Sequence, residues 1–153
     1  NAFLSIKDRI PHMLLIIGKK EVSPEPLPED ERIRYMDYVN HPELPYFYSY
    51  AEMLVHPSFF EGFGITVLEA MACGIPVLSS NGGSLPEVVG NGGLFFEPKD
   101  TQKLSELILS VIKNEGLRRE MIEKGFINIK RFSWDRTAED IYVSCKLALK
   151  DRA

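Results

Sequence analysis

Apolar and polar positions along this chain alternate between short unbroken apolar runs and longer segments of helical period. "MLLIIG" (13–18) is continuously apolar and stopped by glycine, the pattern of a strand buried on both faces, and "IRYMDYV" (33–39) reads as a second strand. Between them "KKEVSPEPLPED" (19–30) is rich in proline and acid, which predicts a solvated loop. "LPYFYSYAE" (44–52) is a short helical candidate, and "MLVHPS" (53–58), "TVLEAMACG" (66–74) and "PVLSS" (76–80) then read as strand, helix, strand. A short helix at "PEVVG" (86–90) and a strand at "GLFFE" (93–97) follow, and three helices over 101–115, 117–132 and 133–151 close the chain.

Strands alternating with helices at this spacing predict a mostly parallel sheet covered on both faces, because parallel neighbours need a crossover and the crossover is usually a helix. The expected fold class is therefore α/β, doubly wound and Rossmann-like. In such folds ligands bind beyond the carboxyl ends of the strands, and "HPSFFEGFG" (56–64) is a loop of that kind. With no internal repeat, low-complexity tract or linker, residues 1–153 are taken as one domain.

Composition narrows the classes. At 153 residues, 44% apolar and 26% charged, the chain is an ordinary globular one large enough for a real core, and no apolar run nears the roughly twenty residues that span a bilayer. A net charge of −4 gives no global attraction for nucleic acid, so an anion site must be local. Cys73 and Cys145 lie far apart in apolar or helical stretches and are expected to be reduced core thiols of a cytoplasmic protein. His12, His41 and His56 share no metal-ligand spacing, so no metal and no cofactor are expected. His56 is expected to be a hydrogen-bonded residue at a strand end, and Ser133 an N-cap beside a docking anchor, Trp134.

The chemistry concentrates around "EGFGITVLE" (61–69). Thr66 and Glu69 match a Ser/Thr-x-x-Glu capping box, one role for Glu69. Glu61 follows a buried strand, where a charge is costly unless paired or solvated. Gly62 and Gly64 let the loop turn, placing the amides of Phe63, Gly64 and Ile65 at the positive end of a helix, an anion-ready geometry. Carboxylates accept hydrogen bonds from hydroxyls but repel phosphate, so a phosphate-ready helix start between two acids suits a ligand that is both phosphate and polyol, such as a nucleotide sugar.

The stretch "HPSFFEGFGITVLEAMACGIPVLSSNGGSLPEVVGNGGLFFEPKD" resembles the donor-binding signature of the retaining group 1 glycosyltransferases of the GT-B fold (family 4). The likeness lies in Glu-Gly-Phe-Gly, a second glutamate after seven intervening residues, Glu-Ala-Met-Ala-Cys-Gly-x-Pro-Val, a Ser-Asn-Gly-Gly turn and Pro-Glu-Val-Val; a weaker likeness extends over most of the chain. The resemblance implies the C-terminal, donor-binding lobe of a hexosyltransferase. Glu61 would then meet the donor-sugar hydroxyls near the reacting centre, residues Glu61, Gly62, Phe63, Gly64 and Ile65 would hold sugar and phosphate, and Glu69 would take the ribose hydroxyls. Tyr38, Val39 and Asn40 match the base-contacting stretch, while Lys19, Gly83 and Ser84 are further candidates at the cleft.

The resemblance also implies a nucleoside-diphosphate sugar as substrate and metal-independent transfer. An acceptor glycan, lipid or small molecule would be held by a separate N-terminal domain, and peripheral membrane association of the full protein is compatible with it. Family members add an initial strand and a loop carrying an arginine and a lysine that neutralise the diphosphate, which nothing before "MLLIIG" supplies. We therefore expect a fragment of a longer enzyme, inactive alone, whose last helix packs toward the partner domain. A noncatalytic nucleotide-sugar-binding or regulatory lobe joined to a separate acceptor subunit is the alternative. A receiver-type signalling domain would need acids at the end of its first strand, which "MLLIIGKK" lacks.

Overall fold

The computed structural model describes residues 1–18 and 28–150. Five strands, β1 (Leu14–Ile17), β2 (Ile33–Met36), β3 (Leu54–His56), β4 (Val77–Ser80) and β5 (Gly93–Phe96), are joined by helices α1 (Ala2–Ile6), α2 (Leu44–Tyr50), α3 (Ile65–Ala72), α4 (Leu85–Val89), α5 (Thr101–Lys113), α6 (Glu115–Ile129) and α7 (Trp134–Lys150). All strand pairs among the described residues are parallel, as the alternation predicts. Among the described residues the strands form two sheets instead of one, β1 with β2 and β3-β4-β5.

Successive side chains on a strand point to opposite faces, and β3 to β5 use both. Val55, Leu78, Leu94 and Phe96 enter a core shared with Phe3 and Ile6 of α1, Ile108 and Val111 of α5 and Met121 of α6. Leu54, Val77 and Phe95 enter a second core with Val67, Ala70 and Met71 of α3, Leu85, Val88 and Val89 of α4, and Tyr48 of α2. This is the doubly wound arrangement, with a helical layer on each face. Because Leu14, Ile16 and Ile33 belong to the first core, one apolar layer runs under both sheets.

The expectation that "MLLIIG" is buried on both faces is corrected. Leu15 and Ile17 are 40% and 41% exposed, because no described helix covers the side of β1 away from the first core. The short helix α1 was not read from the sequence, and its Ser5 hydroxyl lies 3.0 Å from that of Ser105 on α5. The last helix also departs from expectation. Side chains from Ser133 to Leu149 are all exposed, Trp134 by 77%, so Trp134 anchors nothing within the described residues and Cys145 is not a core thiol.

Local signals explain the helix ends. Asp100 accepts from the Lys103 amide at 2.8 Å to cap α5, and Asn114 accepts from the Leu117 amide at 2.9 Å to cap α6. At the end of α3 the Gly74 amide donates to Met71 O (3.1 Å) and the Ile75 amide to Ala70 O (3.3 Å), the paired bonds of a Schellman motif, with Pro76 following. "ACGIPV" is therefore a helix stop leading directly into β4.

Lys7, in the turn after α1, hydrogen-bonds Asp30 ahead of β2. That bond raises the Lys7 pKa, and it lowers the Asp30 pKa together with a bond from the Arg32 amide. For a depressed carboxyl the contribution to stability is present above its unfolded pKa near 3.9 and is lost as pH falls through the lower folded value. For a raised lysine it is present below about 10.4 and lost as pH rises through the higher folded value. Asp30→Asn should therefore flatten the acid limb of the stability profile while leaving the protein folded at neutral pH, as read by thermal melts from pH 3 to 8.

Candidate functional site

The loop 57–64 leaves the carboxyl end of β3 and is held by the turn that leaves the carboxyl end of its neighbour, β4. The buried Ser80 hydroxyl donates to Ser58 O, the Ser84 amide donates to Glu61 O at 3.2 Å, and the Ser84 hydroxyl lies 3.0 Å from Glu61 O and 2.9 Å from Phe63 O. Ser84 thus acts on the loop backbone. Gly83 adopts a left-handed φ of +58°, and a Cβ there would stand 2.5 Å from Glu61 O and 2.8 Å from Glu61 N. Such an approach admits only glycine.

The loop ends at Gly64, which is the N-cap of α3 with φ +95°. A left-handed residue at that position turns the chain sharply into the helix, so the amides of Ile65 and Thr66 have no backbone partner among the described residues, while that of Val67 donates to Gly64 O at 3.2 Å. Gly62, in contrast, has no left-handed requirement and an open site around its Cα. The expectation that both glycines make the turn holds at Gly64 and is replaced at Gly62 by simple exposure. Phe63 and Ile65 are exposed to about half, and the Phe63 ring rests edge-on against Phe132 with centroids 5.7 Å apart.

The two glutamates differ in their surroundings. Glu61 Oε2 lies 3.5 Å from His56 Nε2, a buried nitrogen without a hydrogen-bond partner among the described residues, which corrects the expectation of a hydrogen-bonded strand-end histidine. Glu69 sits inside α3. Since Gly64 is the cap, Thr66 is already within the helix and Glu69 lies beyond its first turn, so the capping-box role is excluded. Its Oε2 instead accepts a hydrogen bond from the Tyr48 phenol at 3.0 Å. Burial of that phenol, reinforced by the Glu69 charge and by the bond itself, pushes the Tyr48 pKa well upward. Cys73, one turn along, is also raised, by burial and then by Glu69, so it remains a thiol.

Of the proposed base-contacting residues, Tyr38 projects into solvent, Val39 is buried, and Asn40 pairs with Glu43 in a capping box for the turn leading into α2. That turn delivers α2, and hence Tyr48, to Glu69. Lys19 lies outside the described residues. Among the described residues no cluster of His, Cys, Asp and Glu could hold a metal ion, and no helix is long and apolar enough to cross a membrane. Sequence reasoning missed Tyr48, whose only sequence signal was its place in an apolar helix.

A family model described as "Glycosyl transferases group 1" matches residues 2–127. The chain belongs to the group 1 glycosyltransferases. O-antigen chain mannosyltransferase B of Escherichia coli is 44% identical to this group 1 chain over 115 residues, which cover 75% of this chain and 30% of that protein. Sucrose-phosphate synthase from Thermosynechococcus elongatus shares the fold with a TM-score of 0.79 at 22% identity, over 98% of this chain and 42% of its own. Anabaena Alr3699/HepE, solved in complex with UDP-glucose, does so with a TM-score of 0.69 at 23% identity, over 76% and 33%. The group 1 chain therefore spans less than half of each of these proteins, and its fold is that of a Rossmann-like lobe of a GT-B glycosyltransferase.

Proposed function

We propose that this group 1 domain binds a nucleoside-diphosphate sugar across loop 57–64 and the start of α3, as the donor-binding half of a retaining glycosyltransferase. The observation that carries the proposal is the Glu69 carboxylate, freed from any capping duty and held by Tyr48 on the same helix that opens at the left-handed Gly64. The helix start supplies amides and a positive dipole end for phosphate, and the carboxylate supplies acceptors for ribose hydroxyls. Glu61, carried on the same loop, serves the donor sugar, and we assign it to orienting that sugar instead of attacking it. In a retaining transfer by front-face attack the leaving phosphate helps deprotonate the acceptor, so the domain's part is to fix donor geometry. The UDP-glucose complex of the structurally similar Alr3699/HepE supports this class of ligand. The acceptor would be held by a separate domain, and this chain alone would not complete a transfer.

A thermal-shift and ligand-detected NMR panel of UDP-, GDP- and ADP-sugars tests the proposal. Binding is expected to be weaker than micromolar, since the chain spans less than half of the proteins it matches and so offers only part of a two-lobed cleft, and to be unchanged by EDTA. A panel in which no nucleotide contacts residues 61 to 69 would reject the donor-site assignment, and a requirement for Mg²⁺ or Mn²⁺ would reject metal independence.

A further inference from the structure

Three tyrosines stand at alternate positions on α2, and they have different surroundings. Tyr46 and Tyr50 are 68% and 92% exposed, whereas Tyr48 turns inward against the second core, among residues that include Ala51, Leu54 and Leu68. Its phenol meets Glu69, 21 residues further along the chain, at the only polar contact that Glu69's carboxylate makes among the described residues. Glu69 Oε1 therefore keeps all its acceptor capacity, and Oε2 keeps a lone pair.

From this arrangement we infer that Tyr48 is a positioning residue: it fixes the Glu69 carboxylate to accept the vicinal 2′- and 3′-hydroxyls of a ribose, and so sets the preference for ribonucleotides over their dideoxy counterparts. The inference rests on the ribose role proposed for Glu69. The chemistry suits the task for two reasons. A free glutamate side chain rotates about three torsions, and an anchored oxygen removes most of that freedom before the ligand arrives, which lowers the ordering cost of binding. A phenol is also neutral and, with its pKa raised, remains a donor throughout the working pH range. It orients the carboxylate without cancelling its charge, whereas a lysine or arginine in that place would compete with the ligand for the same oxygens.

The test uses this chain and six probes, UDP, GDP and ADP with their 2′,3′-dideoxy forms, reading the affinity ratio within each ribo/dideoxy pair. For the wild-type protein the ratio of the best-bound pair should be on the order of ten- to a hundredfold. Tyr48→Phe keeps the packed ring and loses only the O–H; its ratio should fall about fivefold, through weaker ribonucleotide binding at unchanged dideoxy affinity. Because both ligands are measured on one protein sample, a partly unfolded population cancels from the ratio. Glu69→Gln is measured in parallel, and in that background Tyr48→Phe should change the ratio no further.

The outcomes separate. If Glu69→Gln keeps the wild-type ratio, or if no probe binds, the ribose role of Glu69 fails and the inference with it. If Glu69→Gln lowers the ratio and Tyr48→Phe does not, the ribose role stands and the Tyr48 inference is overturned. Equal losses for ribo and dideoxy ligands in Tyr48→Phe, or an undiminished effect in the Glu69→Gln background, would show that Tyr48 acts on packing alone, which also overturns it.

Discussion

Gly83→Val should abolish measurable nucleotide binding and lower the stability of the domain by roughly 3 kcal/mol or more. Two costs combine. A β-branched residue at φ +58° is strained by about 1 to 3 kcal/mol. Its Cβ would also stand 2.5 Å from Glu61 O and 2.8 Å from Glu61 N, and backbone atoms cannot swing aside as a side chain can. Relieving that overlap would push the loop from the β4 turn and break the bonds from Ser84 to Glu61 O and Phe63 O. Glu61 and the entry to α3 would then lose their geometry together. Gly62→Ala is the control on the same loop: it meets open space and should change stability by less than about 0.5 kcal/mol. Urea unfolding and nucleotide titration of both variants check this. A Gly83→Val protein that binds like the wild type would mean that the β4 turn does not build the site.

Leu78→Ala should cost about 2 to 5 kcal/mol, a large share of the stability of a domain this size. Leu78 is fully inaccessible in the middle of β4, and its core includes Ile33 of β2, with Leu14 and Ile16 of β1 packed against it. The cavity would open in the layer that runs beneath both sheets. Hydrogen exchange should therefore show lost protection in β1 and β2 as well as in β3 to β5. Loss confined to β3, β4 and β5 would mean that the two sheets do not share one cooperative core.

Most elements were legible because their signals are local. The apolar runs "LLII" and "PVLSS" and the helical period of 101–113 place strands and helices within a few residues of where the structure has them. What escaped depends on distant partners or on very short elements. Five residues at α1 are too few to show a period. The split into two sheets is a matter of strand order, which no single strand encodes. Thr66 and Glu69 satisfy the capping pattern, yet Gly64 takes the cap, because its loop is fixed by Ser84, twenty residues downstream. Tyr48 escaped for the same reason: "PYFYSY" offers three tyrosines, and only the fold says which one reaches Glu69. The "EGFG" loop itself was legible because glycines, acids and a helix start are all contained in one stretch.

The exposure of α7 has a spectroscopic consequence. Trp134 is the sole tryptophan of the chain, and it stands at the first residue of a helix whose described side chains are all in solvent. A seventeen-residue helix without tertiary support is marginal in water and melts gradually. Indole emission from this chain therefore starts near its solvent-exposed limit and reports a helix–coil equilibrium, while the cores under the sheets can melt almost unseen by it. Far-ultraviolet ellipticity mixes the same gradual signal with the cooperative one, so a single two-state fit would blend two processes. Tyr48 and Tyr35, half-buried in the folded layers, report the cooperative part, whereas Tyr142 shares α7 with Trp134.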